Sequence, residues 1–290
     1  MKPLLERLQA GEILVGDGAI GSMLIAHGLE PGQCPDLITL EAPDVITAIG
    51  RQYLEAGAEL LTTNTFGASP LKLADYGVDE KTEEINRAAV ALLREVAAGK
   101  AYVSASCGPS GRILQPYGDT SEEDLYASFE RQMGAFAEAD VICVETMSDL
   151  REATLAVRAA KAAHPDKPVM ATMTFDETPR GFFTIMGTSV AAAAAGLLDA
   201  AADVVGSNCG NGLEKMIRIA AEFRAATSSP VLIQSNAGQP VLKEGAVHYP
   251  EGPEFFAEHT PEMIAAGASI IGGCCGTTPD HIRAVRKVID

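Results

Sequence analysis

Eight apolar segments rich in β-branched residues recur along the chain, and a stretch of helical periodicity follows each of them. The segments are Ile13–Ala19, Glu59–Phe66, Ala101–Pro109, Val141–Met147, Pro168–Phe175, Val204–Gly210, Val231–Gly238 and Ser269–Gly276. Between them, apolar residues three and four apart mark helices over Asp44–Ala56, Lys81–Ala97, Glu122–Glu138, Leu150–Ala163, Val190–Ala200, Leu213–Ala226 and Pro261–Ala266, with a last one over Pro279–Ile289. Strands alternating with helices pair in parallel through helical crossovers. Eight repeats favour a closed (β/α)8 TIM barrel over an open sheet, and 290 residues accommodate a fold of about 250. No linker or low-complexity run interrupts the pattern, so one domain is expected over residues 1–290. The longest non-periodic stretch, Gln239–His259, holds Pro240, Pro250 and Pro253 and reads as a loop after the seventh strand.

In a barrel of this kind the chemistry sits at the C-terminal ends of the strands. Here those ends read Asp17-Gly18-Ala19, Thr63-Asn64-Thr65-Phe66, Cys107-Gly108-Pro109, Glu145-Thr146, Thr174-Phe175-Asp176, Ser207-Asn208-Cys209-Gly210, Ser235-Asn236-Ala237-Gly238 and Gly273-Cys274-Cys275-Gly276. Each end carries polar or thiol groups, whereas the strand starts are apolar. That gradient, repeated around the barrel, points to one shared site.

Cys274 and Cys275 are adjacent, and glycine flanks the pair on both sides. Neighbouring side chains on a strand point to opposite faces, so both thiols reach one point only where the chain leaves strand geometry, which glycine permits. Thr278 and Pro279 then read as a helix cap and first helical residue. Cys209 ends the sixth strand, one neighbour removed from the eighth. Three thiolates with a fourth position open suit a zinc ion, although cysteine also packs as a small core residue. Cys34, Cys107 and Cys143 are assigned to the core. Zinc held by three thiolates is a poor activator of water, but it can bind and deprotonate a substrate thiol, which favours alkyl transfer to sulfur over hydrolysis. Asp17 and Glu145 are placed to receive the ammonium of an amino acid, and the Gly18 and Ala19 amides its carboxylate. Asp17 equally suits an Asp-Gly turn, and Asn236 suits either an Asn-Ala-Gly turn or the vacant zinc position. Asn64, Thr65 and Asn208 fit support of the site or simple loop hydrogen bonding.

Composition removes several alternatives. A net charge of −17 disfavours nucleic acid and anionic membrane surfaces. No apolar run approaches the span of about 20 residues that a membrane helix needs. The N-terminus, Met1-Lys2-Pro3-Leu4-Leu5-Glu6-Arg7, lacks an apolar signal core, so a cytoplasmic location is expected. In such a location, six cysteines of which some are clustered favour metal binding over disulfides.

The motifs Asp17-Gly18-Ala19, Asn64-Thr65-Phe66-Gly67, Gly108-Pro109, Glu145-Thr146, Asn208-Cys209 and Gly272-Gly273-Cys274-Cys275-Gly276-Thr277-Thr278-Pro279 resemble the homocysteine S-methyltransferase family along essentially the whole chain. The resemblance implies zinc on Cys209, Cys274 and Cys275, with homocysteine sulfur taking the fourth position and attacking an activated methyl group to form methionine. It implies that Asp17 and Glu145 contact the amino acid portion and that Asn236 fills the zinc site without substrate. The cysteine motif and Ser235-Asn236-Ala237-Gly238 look most like the homocysteine module of cobalamin-dependent methionine synthase. No Asp-x-His-x-x-Gly segment follows to ligate a corrinoid, and the sequence ends at Asp290 without a folate module. The methyl donor expected is therefore methylcobalamin on a separate corrinoid protein. Small sulfonium or ammonium donors are the alternative. Betaine-using relatives line their site with tryptophan, which this chain lacks, and Gly276 leans away from users of S-methylmethionine. Readings of other classes are a non-catalytic zinc- or thiol-binding subunit of a corrinoid complex, and a hydrolase built on Asp17 and Glu145, which leaves the three thiols unexplained.

Overall fold

The computed structural model describes residues 1–243 and 246–290. Eight parallel strands form one sheet: β1 (Leu14–Val15), β2 (Leu60–Thr62), β3 (Tyr102–Cys107), β4 (Val141–Met147), β5 (Val169–Met173), β6 (Val204–Asn208), β7 (Val231–Ser235) and β8 (Ile270–Gly273). Their spatial order is β1-β8-β7-β6-β5-β4-β3-β2, and a parallel bridge from Gly16 to Leu60 joins the two outermost strands. The (β/α)8 barrel expected from the sequence is the fold. The principal helices are α1 (Leu4–Gln9), α2 (Ile20–Ala26), α3 (Pro43–Glu55), α4 (Thr82–Ala97), α5 (Glu122–Gly134), α6 (Leu150–Ala163), α7 (Val190–Asp199), α8 (Leu213–Ala226), α9 (Pro253–Ala265) and α10 (Pro279–Ile289). Among the described residues no helix is long and apolar enough to cross a membrane.

Side-chain alternation along each strand separates two apolar layers. Val15, Leu61, Val103, Ile142, Ala171, Val205, Ile233 and Ile271 point outward, into the core shared with the helices. Leu14, Leu60, Tyr102, Val141, Met170, Val204, Leu232 and Ile270 point inward and fill the lower barrel. Leu4 and Leu8 of α1 join this inner layer, and the Tyr102 hydroxyl donates to the Lys2 carbonyl at 2.5 Å, so α1 plugs the floor. Each fully buried aliphatic side chain contributes roughly 1.5–3 kcal/mol. Two residues further along seven of the eight strands the inward positions become small or polar: Gly16, Thr62, Ser104, Thr172, Gly206, Gln234 and Gly272. That change opens the upper barrel.

Several boundaries depart from the sequence reading. The expected loop over Gln239–His259 is shorter than expected, and the helix assigned to Pro261–Ala266 starts at Pro253. Gly252 and Pro253 form a favourable N-cap and first position, and a proline there removes no helical hydrogen bond. Pro261 lies inside α9 and withdraws only its own donor, while the Thr260 hydroxyl donates to the Phe256 carbonyl at 2.7 Å. Residues 244 and 245 of the expected loop lie outside the described residues. Val241–Lys243 and Ala246–His248 pair antiparallel on either side of them. A second antiparallel pair, Asp176–Thr178 with Gly181–Phe183, follows β5. The helix expected to reach Glu138 ends at Gly134. The Thr278-Pro279 start of α10 is as read, with the Thr278 amide donating to His281 Nδ1 at 3.1 Å.

Candidate active site

At the C-terminal mouth of the barrel, the tips of β6 and β8 bring Cys209, Cys274 and Cys275 together. Their sulfur atoms all lie within 4.8 Å of one another, and Cys209 Sγ is 3.8 Å from Cys275 Sγ. Backbone constraints hold the three. The Cys209 amide donates to the Gln234 carbonyl at 3.1 Å and that of Cys274 to Ser235 at 2.7 Å, while the Cys275 carbonyl accepts from Ala237 at 2.9 Å. Cys209 adopts φ +62°, a left-handed conformation that costs a non-glycine residue about 1–3 kcal/mol. Gly276 has φ +81°, and a Cβ there would lie 2.1 Å from the Tyr249 ring. The glycine after the cysteine pair is thus required twice, by backbone conformation and by the aromatic side chain lying on it.

Three thiols this close cannot all ionise without a cation. Cys275 is held down at about 3 as acceptor from Cys209 and Cys274. Hydrogen bonding with its two partners and burial push Cys274 well above the usual thiol range. Cys209 is pulled down by Cys274 but raised more by Cys275 and burial, to about 11. A divalent cation would displace the remaining protons. Asn236, in the tip of β7 between the cysteine-bearing strands, has a buried Oδ1 with no hydrogen-bond partner. Unsatisfied buried acceptors are uncommon and often mark a missing ion or water. Three soft sulfurs, with an orphaned oxygen following the strand between them, fit a tetrahedral zinc.

Two buried carboxylates share the mouth, Asp17 just past β1, the neighbour of β8, and Glu145 in β4. Asp17 is 2% exposed and accepts from the Thr62 amide at 2.6 Å and the Thr62 hydroxyl at 2.7 Å. Burial pushes its pKa up to about 7 against those two bonds, with the nearby Glu145 charge adding to the rise. Glu145 accepts from Ser106 Oγ at 2.5 Å and from Asn208 Nδ2 at 3.2 Å. Burial raises its pKa too, the Ser106 bond opposes this, and the Cys275 charge adds to it. Neither carboxylate has a cationic partner among the described residues. Two buried acids that feel each other's charge without a cation are costly, and an incoming ammonium would relieve that cost.

The other sequence candidates divide. The Ala19 amide is engaged with Thr277 Oγ1 at 3.1 Å, and a Cβ on Gly18 would collide with the Thr277 and Tyr53 hydroxyls. Asn64 donates to the Pro35 carbonyl at 2.7 Å and to Thr39 Oγ1 at 3.2 Å. Thr65 Oγ1 donates to the Ser106 carbonyl at 2.7 Å. Asn64 and Thr65 therefore brace the loop after β2, the simpler of their two readings. Cys34, Cys107 and Cys143 are buried in the core. Thr62, Ser106 and Tyr249 went unnoticed in the sequence. Thr62 and Ser106 share the inward phase of their strands with Leu60 and Tyr102, and counting in steps of two from those residues finds them.

Residues 14–289 match the sequence model of the family described as homocysteine S-methyltransferase. The chain is 35% identical to a methionine synthase of Mycobacterium leprae, over 99% of its own length and 25% of the relative. It is 34% identical to a methionine synthase of Mycobacterium tuberculosis, over 96% of its length and 24% of the relative. It thus spans about a quarter of the length of the curated relatives it matches. Among solved structures it is similar to the metallated form of the homocysteine methyltransferase MmuM from Escherichia coli, with a TM-score of 0.80, 26% identity and 99% of both chains covered. The apo form of the same protein gives a TM-score of 0.76 at 25% identity, covering 99% of this chain and 98% of that one.

Proposed function

The chain belongs to the homocysteine S-methyltransferase family, and from that premise we propose that it methylates the thiol of homocysteine to give methionine. One observation carries the reading: a three-thiol cluster and a pair of cation-free carboxylates share the barrel mouth, as an amino acid with a thiol at its far end requires. Cys209, Cys274 and Cys275 would hold zinc, with Asn236 Oδ1 as the oxygen available when substrate is absent. Zinc bound there supplies positive charge that lowers the pKa of a substrate thiol, so that its sulfur is a thiolate at neutral pH.

The protein's own residues do the rest. Glu145 and Asp17 receive the substrate ammonium, each held in place from its other side by Ser106 or Thr62. The Gly18 amide, within the segment after β1, is the remaining candidate for the substrate carboxylate. With amino group and sulfur both fixed, the attacking atom is oriented before the donor arrives, which converts binding energy into alignment. The sulfur attacks the donor's methyl carbon in line. The S–C bond forms as the donor–methyl bond breaks, and the donor keeps the electron pair.

For the donor we favour methylcobalamin. The higher identity to proteins named methionine synthase, the absence of tryptophan and the glycine at position 276 support it. Zinc-loaded protein mixed with homocysteine and methylcobalamin is expected to produce methionine, and S-methylmethionine in its place is expected to give at most a small fraction of that rate. Methionine formed only from S-methylmethionine would move the donor to the sulfonium class. No methionine from either donor, nor from a betaine-like ammonium, would reject the methyltransferase reading in favour of a binding subunit.

A further inference from the structure

Glu145 sits in an irregular turn of its strand. The pairing of β4 with β5 shifts register between Val144 and Met147, and Thr146 within the shift has φ +61°. A β-branched residue in the left-handed region is an outlier that persists only where its surroundings enforce it. One side chain does so. Asn208 Oδ1 accepts from the Thr146 amide at 2.7 Å, and Asn208 Nδ2 donates to Thr146 Oγ1 at 2.7 Å. The same Nδ2 donates to Glu145 Oε2 at 3.2 Å and lies 4.0 Å from Cys274 Sγ. Thr172 Oγ1 donates to Asn208 Oδ1 at 2.7 Å and so fixes which way the amide faces. Asn208 is fully buried, and its backbone leads directly into Cys209.

We propose that Asn208 is a positioning residue that sets the spacing between the ammonium-receiving carboxylate and the thiol cluster, and thereby selects amino thiols over thiols without the amino group. The proposal rests on the homocysteine reading above and adds to it the residue that couples the two halves of the site. Asn208 meets Thr146, Glu145 and the edge of the thiol cluster through one rigid amide, so the β4 irregularity and the β6 tip cannot move independently. Without that amide, Thr146 has no reason to hold its left-handed conformation, and Glu145 loses the donor on one of its two oxygens.

The test is equilibrium binding by calorimetry on the zinc-loaded protein without methyl donor, using homocysteine and 4-mercaptobutanoate, the same thiol acid lacking the amino group. The wild type is expected to bind homocysteine at least about tenfold more tightly, the worth of one charge-assisted contact. In Asn208→Ala the ratio is expected to fall toward one, with the loss confined to homocysteine. Thr172→Val, which keeps the shape and removes only the hydroxyl that orients the amide, is expected to narrow the ratio about threefold, and it carries the test should Asn208→Ala fail to fold. Equal weakening of both thiols, or an unchanged ratio in the folded variants, would overturn the positioning role while leaving the homocysteine reading intact. A wild type that binds both thiols equally would instead overturn the ammonium assignment, and this proposal with it.

Discussion

The two ends of the barrel are built from the same strands on opposite principles. At the floor, Leu14, Leu60, Tyr102, Val141, Met170, Val204, Leu232 and Ile270 pack with Leu4 and Leu8 of α1 into an apolar plug. At the mouth, the inward positions of those strands or their extensions carry Glu145, Asn208, Asn236 and Cys274, with Asp17, Cys209 and Cys275 beside them. Floor residues act collectively, and each loss is a volume loss that neighbours share. Mouth residues act singly, because each supplies one donor, one acceptor or one ligand that no neighbour duplicates. The mouth also carries strain and unsatisfied groups: left-handed Thr146 and Cys209, the unpartnered Asn236 oxygen and two cation-free acids.

Substitutions at the two ends should therefore separate function from stability. Cys274→Ala at the mouth is expected to lower methyl transfer by roughly 10³-fold or more, given the several kcal/mol a bound metal supplies, with the far-UV circular dichroism unchanged. Comparable turnover in the variant would break the contrast. Leu14→Ala at the floor should do the opposite, destabilising by about 2–5 kcal/mol in denaturant titration while the folded protein keeps its kinetic constants. A changed KM there would mean that the floor shapes the site. Glu145→Gln keeps volume and hydrogen bonding but removes the charge. A rise in homocysteine KM of about 10- to 100-fold with little change in kcat is expected, matching a charged hydrogen bond of about 1.5–3 kcal/mol.

The smallest effect concerns Asp17. Its folded pKa of about 7 lies above the ordinary value of 3.8, so the folded protein holds a proton that the unfolded chain has released. Stability from this group is complete below pH about 4 and is lost as the pH rises toward 7. Between pH 5 and 7 the loss is about 2 kcal/mol. Asp17→Asn should flatten that slope, and added homocysteine should protect the wild type more at pH 8 than at pH 5. An identical slope in the variant would assign the pH dependence to another group.

The same contrast explains what the sequence made legible. The barrel was readable because both faces of each strand are buried, which leaves eight apolar runs. The thiol cluster was readable because Cys274 and Cys275 are adjacent, which neither strand nor core packing calls for. The inward or outward phase was hidden for the same reason that the strands were visible: Leu14 and Val15 are both apolar, so alternation shows only in the structure. Thr62 and Ser106 were missed on that account. The start of α9 was misplaced because Pro253 reads as part of a proline-containing loop and Pro261 as a first helical residue, whereas Pro253 begins the helix and Pro261 is carried inside it. The role of Asn208 lies in a contact between strands far apart in the chain, and no local pattern records it.

Zinc stoichiometry tests the account most directly. Elemental analysis after dialysis against zinc is expected to find one ion per chain in the wild type and none in Cys209→Ala, Cys274→Ala or Cys275→Ala, each still folded. A folded wild type that takes up no zinc, or a full complement of the ion in any of the three variants, would contradict the claim that these thiols form one metal site.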